Sequence, residues 1–222
     1  MSDLSSLNPK HAVFAGLAEL AKALASPHRI EIIEVLGQSE RSVESVAARV
    51  GLSVANASQH LRLMRRSGLL ASRRDGKHVL YRLSDPAVVD LMSALGRLGE
   101  RNQAEVRAVM AGYFHERDAL EPVSRAELTQ RMKDGLVTVL DVRPEDEFAA
   151  GRVPSAMNIP LRALALRLDD LPKDQEIVAY CRGAYCVLAF EAVAFLREQG
   201  FQVRRLEDGF PEWKAAGLPV AA

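Results

Sequence analysis

The order of helix caps and glycines between residues 42 and 68 restricts the fold more than any other feature of the sequence. Ser42 is a capping residue for a short helix, and Gly51 ends that helix with a tight turn. Ser53 caps the next helix, which is stopped by Gly68. The pattern therefore predicts two helices joined by a turn too short to separate them, so that they must pack against each other.

Two strand-like runs and three further helices surround this pair. The runs 69–74 and 78–83 are separated by Asp75-Gly76, a strong turn signal, and predict a β-hairpin. Apolar residues at helical spacing, together with Pro27 and Pro86 at helix starts, predict three more helices. These cover about residues 12–24, 27–37 and 86–113. The last helix has a broader apolar face than a small domain needs, which favours a dimer interface.

The helix after Ser53 has the two faces that a DNA-reading helix requires. Ala57, Leu61 and Met64 share an apolar face, while short or bidentate polar side chains occupy the other. Residues 53–82 contain seven basic side chains and one acidic one, which favours contact with phosphates. The predicted DNA-binding residues are Ser53, Asn56, Ser58, Gln59, Arg62, Arg73, Arg74 and Lys77. For His60, a phosphate contact and packing at the helix junction both remain open.

Residues 12–110 resemble the ArsR-type winged-helix repressors through ALASPHRIEIIEVL, LSVANASQHLRLMRRSGLL and RRDGKHVLYRLSD. The resemblance implies a homodimer that is built on the first and last helices of the domain and binds a pseudo-palindromic operator. Many members sense metals, but residues 42–45 contain no thiol and residues 88–110 contain no histidine. Soft-metal ligands are therefore missing, and we predict neither a metal site nor a cofactor.

The chain of 222 residues suits two domains, with predicted boundaries at 1–114, a linker at 115–122 and a second domain at 123–222. Residues 1–118 carry 16 basic and 13 acidic side chains, against 13 and 16 in the remainder. The first half is therefore expected to meet a polyanion. No apolar run approaches the length of a membrane span, and the N-terminus lacks a secretion signal. We therefore expect a cytoplasmic protein with no membrane partner.

The second domain alternates strand-like and helical runs, which predicts an α/β fold with a largely parallel sheet. The predicted strands are 137–141, 177–181 and 203–206, and the predicted helix is 187–199. The whole chain is thus expected to combine a mainly α winged helix-turn-helix, with a β-hairpin wing, and an α/β domain.

Both cysteines of the chain lie in the segment between the second of these strands and the helix. Cys181 is at the strand end, where backbone amides and the positive end of a helix dipole favour a thiolate. Arg182 adds a cation and Gly183 lets the loop curl. The alternative is that Cys181 is only a small buried apolar residue.

Residues 123–220 resemble a rhodanese domain through LDVRPEDEFAAGRVPSAMNIPL, YCRGAYC and LEDGFPEWKAAGLPV. The resemblance implies that Cys181, assisted by Arg182, takes sulfur from a donor such as thiosulfate or polysulfide and holds it as a persulfide. It also implies a supporting set made of Gly183, Ala184, Tyr185, Asp141 and Arg143. Related phosphatases and arsenate reductases end a longer loop with an arginine, but this chain has Val187 there.

Two positions depart from the rhodanese pattern. Cys186 occupies the sixth loop position, where it is either a resolving thiol for Cys181 or a packed residue at the helix start. Arg152 replaces the usual histidine. Asp141, Arg143 and Glu147 are expected to form a buried polar pair or triad beneath the loop.

Two functions follow and remain open at this stage. The first is a transcriptional regulator, acting as a repressor, in which a Cys181 persulfide reports reactive sulfur. The second is a sulfurtransferase enzyme with the DNA-binding domain as an autoregulatory or targeting module. They differ in turnover, because a sensor needs only stoichiometric modification.

Overall fold

The protein is described by a computed structural model that covers residues 8–115 and 121–222. The chain forms two compact units, which meet in sequence between Val88 and Val89. The predicted linker at 115–122 lies largely outside the described residues, as do residues 1–7 of the N-terminal segment 1–10 examined for a signal. The domain boundaries given above therefore remain predictions.

The first unit contains four helices and a three-stranded antiparallel sheet in the order β1-β3-β2. The helices are α1 (Pro9–Lys22), α2 (Pro27–Gln38), α3 (Val43–Val50) and α4 (Val54–Arg66). The strands are β1 (Arg41–Ser42), β2 (Leu70–Asp75) and β3 (His78–Leu83). The predicted winged helix-turn-helix is confirmed.

Local side-chain chemistry sets the ends of the two central helices. Ser42 Oγ accepts from the amide of Ser45 at 3.3 Å, and Ser53 Oγ accepts from the amide of Asn56 at 3.2 Å. Each bond satisfies an amide that the first helical turn leaves without a partner. Gly51 follows α3 in the left-handed region at φ 70°, a conformation that glycine adopts without steric cost. The turn between α3 and α4 is tight for this reason.

Three details of the first unit differ from the sequence expectation. Helix α2 continues one residue past Gly37 to Gln38. Asp75 pairs with His78 in the sheet, so the hairpin turn is made by Gly76-Lys77 rather than Asp75-Gly76. Strand β1 was not predicted, because two residues are too few to show a period.

The helix predicted to run unbroken from Pro86 to Tyr113 is divided in the structure. It forms α5 (Ala87–Asn102), α6 (Ala104–Val109) and a π-helical turn (Met110–His115). The break falls at Gln103, which has the extended dihedrals φ −109° and ψ 114°. From Val89 onwards, these helices belong to the second compact unit.

The remainder of the second unit is an α/β domain with a parallel sheet in the order β5-β4-β6-β7, which confirms the predicted fold class. The strands are β4 (Val137–Asp141), β5 (Met157–Asn158), β6 (Glu176–Tyr180) and β7 (Val203–Arg205). The helices are α7 (Arg125–Lys133), α8 (Glu145–Ala150), α9 (Leu161–Leu164), α10 (Val187–Glu198) and α11 (Phe210–Ala215), with a 3₁₀ turn at Leu168–Asp170.

The central strand β6 is buried on both faces, as expected for a parallel strand between helical layers. Ile177 and Ala179 pack in a cluster with α10, and the same cluster includes both cysteines. Val178 and Tyr180 pack on the other side with Trp213 of α11. The cysteine loop therefore starts from a strand that is packed on both faces. Within the described part of the chain, no helix is long and apolar enough to cross a bilayer.

Candidate functional site

A disulfide joins Cys181 and Cys186 across the loop between β6 and α10. Their Cα atoms are 6.2 Å apart, and the two residues are 1% and 5% exposed. Cys181 directly follows Tyr180, the last residue of β6, and Cys186 is the cap residue before α10 begins at Val187. The sequence placed both cysteines at these positions but left their pairing open.

The loop is held by a backbone hydrogen bond within itself and by backbone contacts with Gly209 and Phe210 at the start of α11. The amide of Phe210 donates to the carbonyl of Cys181 at 3.0 Å, and the amide of Cys186 donates to the carbonyl of Gly183 at 3.1 Å. Gly209 lies so close that a Cβ there would overlap the backbone of Arg182 and Gly183. Sequence reasoning missed this role of Gly209, whose only signal was its place in LEDGFPEW.

A buried ion pair lies at the end of the neighbouring strand β4. Arg143 Nη2 donates to Asp141 Oδ2 at 2.6 Å and to the carbonyl of Gly151 at 2.8 Å, and both charged side chains are fully buried. The hydroxyl of Tyr180 donates to the same carboxylate. Burial and the Asp141 charge raise the pKa of Tyr180, so its phenol stays protonated and acts as a donor. This network supports the residue that directly precedes Cys181.

Arg182, the one charged side chain of the loop 181–186, pairs with Glu147 of α8. Arg182 Nη2 donates to Glu147 Oε1 at 2.8 Å and Arg182 Nε donates to Glu147 Oε2 at 3.0 Å. Glu147 is 1% exposed. The Glu147 carboxylate offsets the positive charge of Arg182, which was expected to stabilise the Cys181 thiolate. Arg182 therefore holds the loop in position in addition to providing a cation near Cys181.

A second carboxylate, that of Glu212, lies beside Gly183. Glu212 Oε2 accepts from the amide of Gly209 at 3.0 Å. Burial raises the pKa of Glu212, and the nearby Asp208 adds to this effect. No local pattern singles out Glu212, since it stands in α11, 26 residues after Cys186 at the end of the loop.

Tyr185 extends from the loop to α5, within the second unit. Its hydroxyl donates to Glu100 Oε1 at 2.8 Å, and its ring lies where a Cβ on Gly96 would be. Burial and the Glu100 carboxylate raise the pKa of Tyr185. The remaining loop residues Gly183 and Ala184 are half-buried.

The first unit places the predicted DNA-reading side chains on the outer face of α4. Ala57, Leu61 and Met64 are buried, which leaves the polar face of the helix outward. The side chains of Ser53, Asn56, Gln59 and Arg62 are exposed and Ser58 is half-buried. Three of these side chains already have local partners, since Ser53 caps the helix and Ser58 Oγ accepts from Arg62 Nη2 at 2.8 Å.

The hairpin presents a basic surface, and within it Arg73 Nη1 lies 3.6 Å from Asp75 Oδ1. Arg74 and Lys77 are exposed. Arg73 pairs with Glu40, and its Nε donates to Glu40 Oε2 at 2.9 Å. The hydrogen bond from Arg73 lowers the pKa of Glu40, so the pair stays charged at neutral pH. Glu40 precedes the basic stretch 53–82 in sequence, so a count of charges over that stretch does not include it.

His60 is half-buried near the start of α2, where its ring centroid lies 6.2 Å from that of His28. Burial lowers the pKa of His60, and the charges of Arg29 and His28 act in the same direction. Of the two alternatives left open, this geometry favours packing at the helix junction.

Both halves of the chain are similar to known proteins. A rhodanese-like domain model matches residues 124–216, and a helix-turn-helix domain model matches residues 24–73. The HTH-type transcriptional regulator Rv0324 of Mycobacterium tuberculosis is 41% identical over 211 residues, which span 95% of this chain and 92% of that protein. The chain belongs to the ArsR-type HTH transcriptional regulators that carry a rhodanese-like domain.

Other relatives of this ArsR-type regulator match one half only. A sulfurtransferase of Allochromatium vinosum is 35% identical over 97 residues, or 43% of this chain and 89% of that protein. Among solved structures, the homodimeric winged helix-turn-helix DNA-binding domain Mb0332 of Mycobacterium bovis is 30% identical, with a TM-score of 0.41. It covers 47% of this chain and 95% of its own.

Metal ligands are the other feature expected of many ArsR-type regulators. Over residues 8–115 and 121–222, no three His, Cys, Asp or Glu side chains are grouped closely enough to hold a metal ion.

Proposed function

We propose that this regulator senses sulfane sulfur through Cys181 and Cys186 and converts the change into altered operator binding. The observation that carries the proposal is the disulfide between the two cysteines, closed within one loop. Two thiols close enough to form a disulfide can interconvert between dithiol, persulfide and disulfide, which are the states that a sulfur sensor needs.

The first step starts from the reduced protein and a persulfide or polysulfide donor, written RSSH. The Cys181 thiolate attacks the outer sulfur of RSSH, the S–S bond of the donor breaks, and RS⁻ leaves. Cys181 then carries a persulfide. Its place at a strand end, facing the start of α10, favours the attacking anion because a helix N-terminus attracts negative charge.

The second step closes the disulfide. Cys186 loses its proton to solvent and attacks Sγ of Cys181, the bond to the outer sulfur breaks, and HS⁻ leaves. Two thiols are oxidised to a disulfide, and the sulfane sulfur is reduced to hydrosulfide. The Cα separation of 6.2 Å lies within the usual disulfide range of about 4.4–6.8 Å. In this scheme Cys186 acts as the resolving thiol, and nothing but the donor is consumed.

The proposed output is binding to duplex operator DNA. Asn56, Gln59 and Arg62 lie on the exposed face of α4 and suit base edges in the major groove. Arg74 and Lys77 of the hairpin suit phosphates, while Arg73 is partly neutralised by Glu40.

We propose that the regulator acts as a homodimer in the cytoplasm, where its DNA target is found. Apolar side chains exposed on α1 and α5 support the dimer, because monomeric proteins seldom expose such rows. These side chains are Val13, Phe14, Leu17, Leu91, Leu95 and Leu98.

A second candidate function is sulfur transfer with turnover. The similarity of the rhodanese-like half to the sulfurtransferase of Allochromatium vinosum, 35% identity over 97 residues, favours this function. In that case Cys181 would pass its persulfide sulfur from thiosulfate or polysulfide to an external acceptor such as cyanide. The role of Cys186 distinguishes the two candidate functions, because a resolving thiol interrupts turnover by forming the disulfide.

The deciding experiment uses a duplex selected from a random-sequence pool by the reduced full-length protein. Its affinity is measured for wild type, Cys181→Ser and Cys186→Ser, each with and without a polysulfide donor. The sensor proposal expects the wild-type affinity to change by about 5- to 150-fold, the range of ordinary allosteric coupling, and Cys181→Ser to be unresponsive. Identical responses of wild type and Cys181→Ser would overturn it.

A parallel assay follows sulfur transfer from thiosulfate to cyanide. As a sensor, the wild type should stop after about one equivalent, and Cys186→Ser should turn over faster than wild type because its persulfide cannot be resolved. Sustained wild-type turnover, unaffected by Cys186→Ser, would instead establish the enzyme candidate.

A further inference from the structure

The loop that carries the disulfide is attached to the preceding helices of its own unit by Tyr185. The ring of Tyr185 occupies the space left by the missing side chain of Gly96, and its hydroxyl donates to Glu100 at 2.8 Å. Gly96 and Glu100 are four residues apart in α5 and therefore lie on one face of that helix. A notch and a hydrogen-bond acceptor are thus aligned on α5 to receive one side chain of the loop.

A second attachment follows directly after the cysteine loop, at the start of α10. The ring of Phe190 meets that of Phe114 edge to face, with centroids 4.8 Å apart, and both residues are buried. Next to it, the hydroxyl of Tyr113 donates to Glu191 Oε1 at 3.2 Å. Residues 185–191 therefore hold the helical segment 87–115 at two places, in the middle of α5 and near the end of the segment.

Cys186 lies between these two attachments in sequence, immediately after Tyr185 and immediately before α10. Opening the disulfide removes the covalent restraint that ties Cys186 to the end of the central strand. Phe190 stays fixed by core packing, since it is 2% exposed. Tyr185, at 41% exposure, is the attachment with less burial to hold it, so it is the one that the restraint controls.

The state of the disulfide also has a consequence for α5. Its exposed leucines Leu91, Leu95 and Leu98 form the row proposed above as a dimer contact. A helix that gains or loses a side-chain anchor at Gly96 and Glu100 changes the freedom with which it presents that row. The anchor therefore connects the sulfur chemistry of the loop to the part of the chain on which a dimeric operator reader depends.

We infer that Tyr185 is the coupling residue of this regulator: the Cys181–Cys186 disulfide holds it in the Gly96–Glu100 notch of α5, and reduction releases it. This inference rests on the proposed sulfur-sensing function. It adds the residue through which the redox state of the loop affects α5, and it gives a role to Gly96 and Glu100, which lie outside the rhodanese-like domain.

The test uses variants on α5, outside the cysteine loop. Gly96→Ala places a methyl group where the Tyr185 hydroxyl lies, and Glu100→Ala removes the acceptor. The matched control is Gly99→Ala on the same helix, whose added Cβ would meet only Val106 at an ordinary 3.8 Å. Glu100→Gln is the conservative variant, because its amide oxygen still accepts from Tyr185.

Each full-length variant is assayed for disulfide formation with polysulfide, by thiol titration, and for the ratio of operator affinities between reduced and disulfide forms. We expect all α5 variants to form the disulfide. The affinity ratio should fall to about one in Gly96→Ala and Glu100→Ala, and stay at the wild-type value in Gly99→Ala and Glu100→Gln. Tyr185→Phe should lose most of the ratio as well.

Hydrogen exchange of the α5 amides gives a readout that a merely structural contact would not move. In wild type, exchange should be faster in the reduced than in the disulfide form, and this difference should vanish in Gly96→Ala. Equal operator affinities of the reduced and disulfide forms of the wild type would overturn the proposed function. A responsive wild type with equally responsive Gly96→Ala and Glu100→Ala variants would overturn the coupling role of Tyr185 and leave the sensor standing.

Discussion

Arg182 Nη2 lies 2.8 Å from Glu147 Oε1, which places a buried carboxylate against the only cation of the cysteine loop. Adjacent positive charge is one of the ordinary means by which proteins lower a thiol pKa. Here the cation is already paired, so its effect on Cys181 is reduced by the charge on Glu147. The pairing sets the balance between holding the loop in place and activating the thiol.

Replacing that carboxylate should therefore activate Cys181. In a Cys186→Ser background, which leaves one thiol, Glu147→Gln should lower the pKa of Cys181 because the Arg182 charge is no longer offset. Ultraviolet thiolate absorbance against pH measures the change. Glu145→Gln is the control, since Glu145 pairs with exposed Arg162 at 2.7 Å. An unchanged or raised pKa in Glu147→Gln would show that Arg182 does not act on the thiol.

Asp141→Asn should cost far more stability than a surface substitution of the same kind. Asp141 and Arg143 are both fully buried, so removing the carboxylate charge leaves the guanidinium charge without its partner. Breaking a buried pair in this way costs about 3–5 kcal/mol. Urea unfolding of the full chain, monitored through Trp213 fluorescence, measures the loss in this domain.

The control for Asp141→Asn is Asp170→Asn, whose ion pair with Arg167 is about half exposed. Exposed pairs contribute at most about 1 kcal/mol, so this variant should unfold close to wild type. Equal losses in the two variants would mean that the buried pair gives no special support to the strand ends below the loop.

Sequence reasoning succeeded where short-range chemistry decides the structure. Ser42, Ser53 and Gly51 act on amides and turns within a few residues, and the helices they limit begin and end within a residue or two of the predicted positions. The parallel sheet and the placement of Cys181 between a strand and a helix were equally readable, because apolar strands and caps are local signals.

Contacts between distant parts of the chain could not be read in the same way. Glu40 reaches Arg73 across 33 positions and Glu147 reaches Arg182 across 35. Gly209 owes its importance to the backbone of Gly183, which no local pattern reveals. The break at Gln103 was also missed, because Leu98 and Val106 continue the helical apolar period across it.

Glu40→Gln should strengthen DNA binding. The substitution removes the charge of the nearer carboxylate partner of Arg73, leaves the more distant Asp75 at 3.6 Å, and makes the Arg73 charge more available to a phosphate. We expect the slope of log affinity against log salt to steepen by about 0.9, the value for one additional phosphate contact. Arg74→Ala should make the slope shallower by a similar amount. Filter binding or fluorescence anisotropy across a salt series provides the measurement.

Glu19→Gln serves as the control for this charge change, because Glu19 and its partner Lys22 are exposed on α1. It removes the same negative charge from the first unit and should leave the slope as in wild type. If Glu19→Gln and Glu40→Gln steepen the slope equally, net charge alone governs binding and the release of Arg73 contributes nothing.

Because of Glu212, we expect the domain to lose stability as the pH rises above the ordinary pKa of a glutamate side chain. Burial raises the pKa of Glu212 in the folded protein. Between the ordinary and the raised pKa, the folded state holds a proton that the unfolded chain has released. The folded state thus binds more protons in that interval, and the free energy of unfolding falls as the pH rises through it.

Glu212→Gln should flatten this dependence while keeping the structure, because its amide oxygen still accepts from the amide of Gly209. Urea unfolding at a series of pH values, in wild type, Glu212→Gln and the exposed control Glu198→Gln, compares the slopes. A wild-type slope retained in Glu212→Gln would assign the dependence to another group. A flattened slope would instead place the titrating carboxyl beside Gly183, where its ionisation adds negative charge next to the cysteine loop and opposes the approach of an anionic sulfur donor.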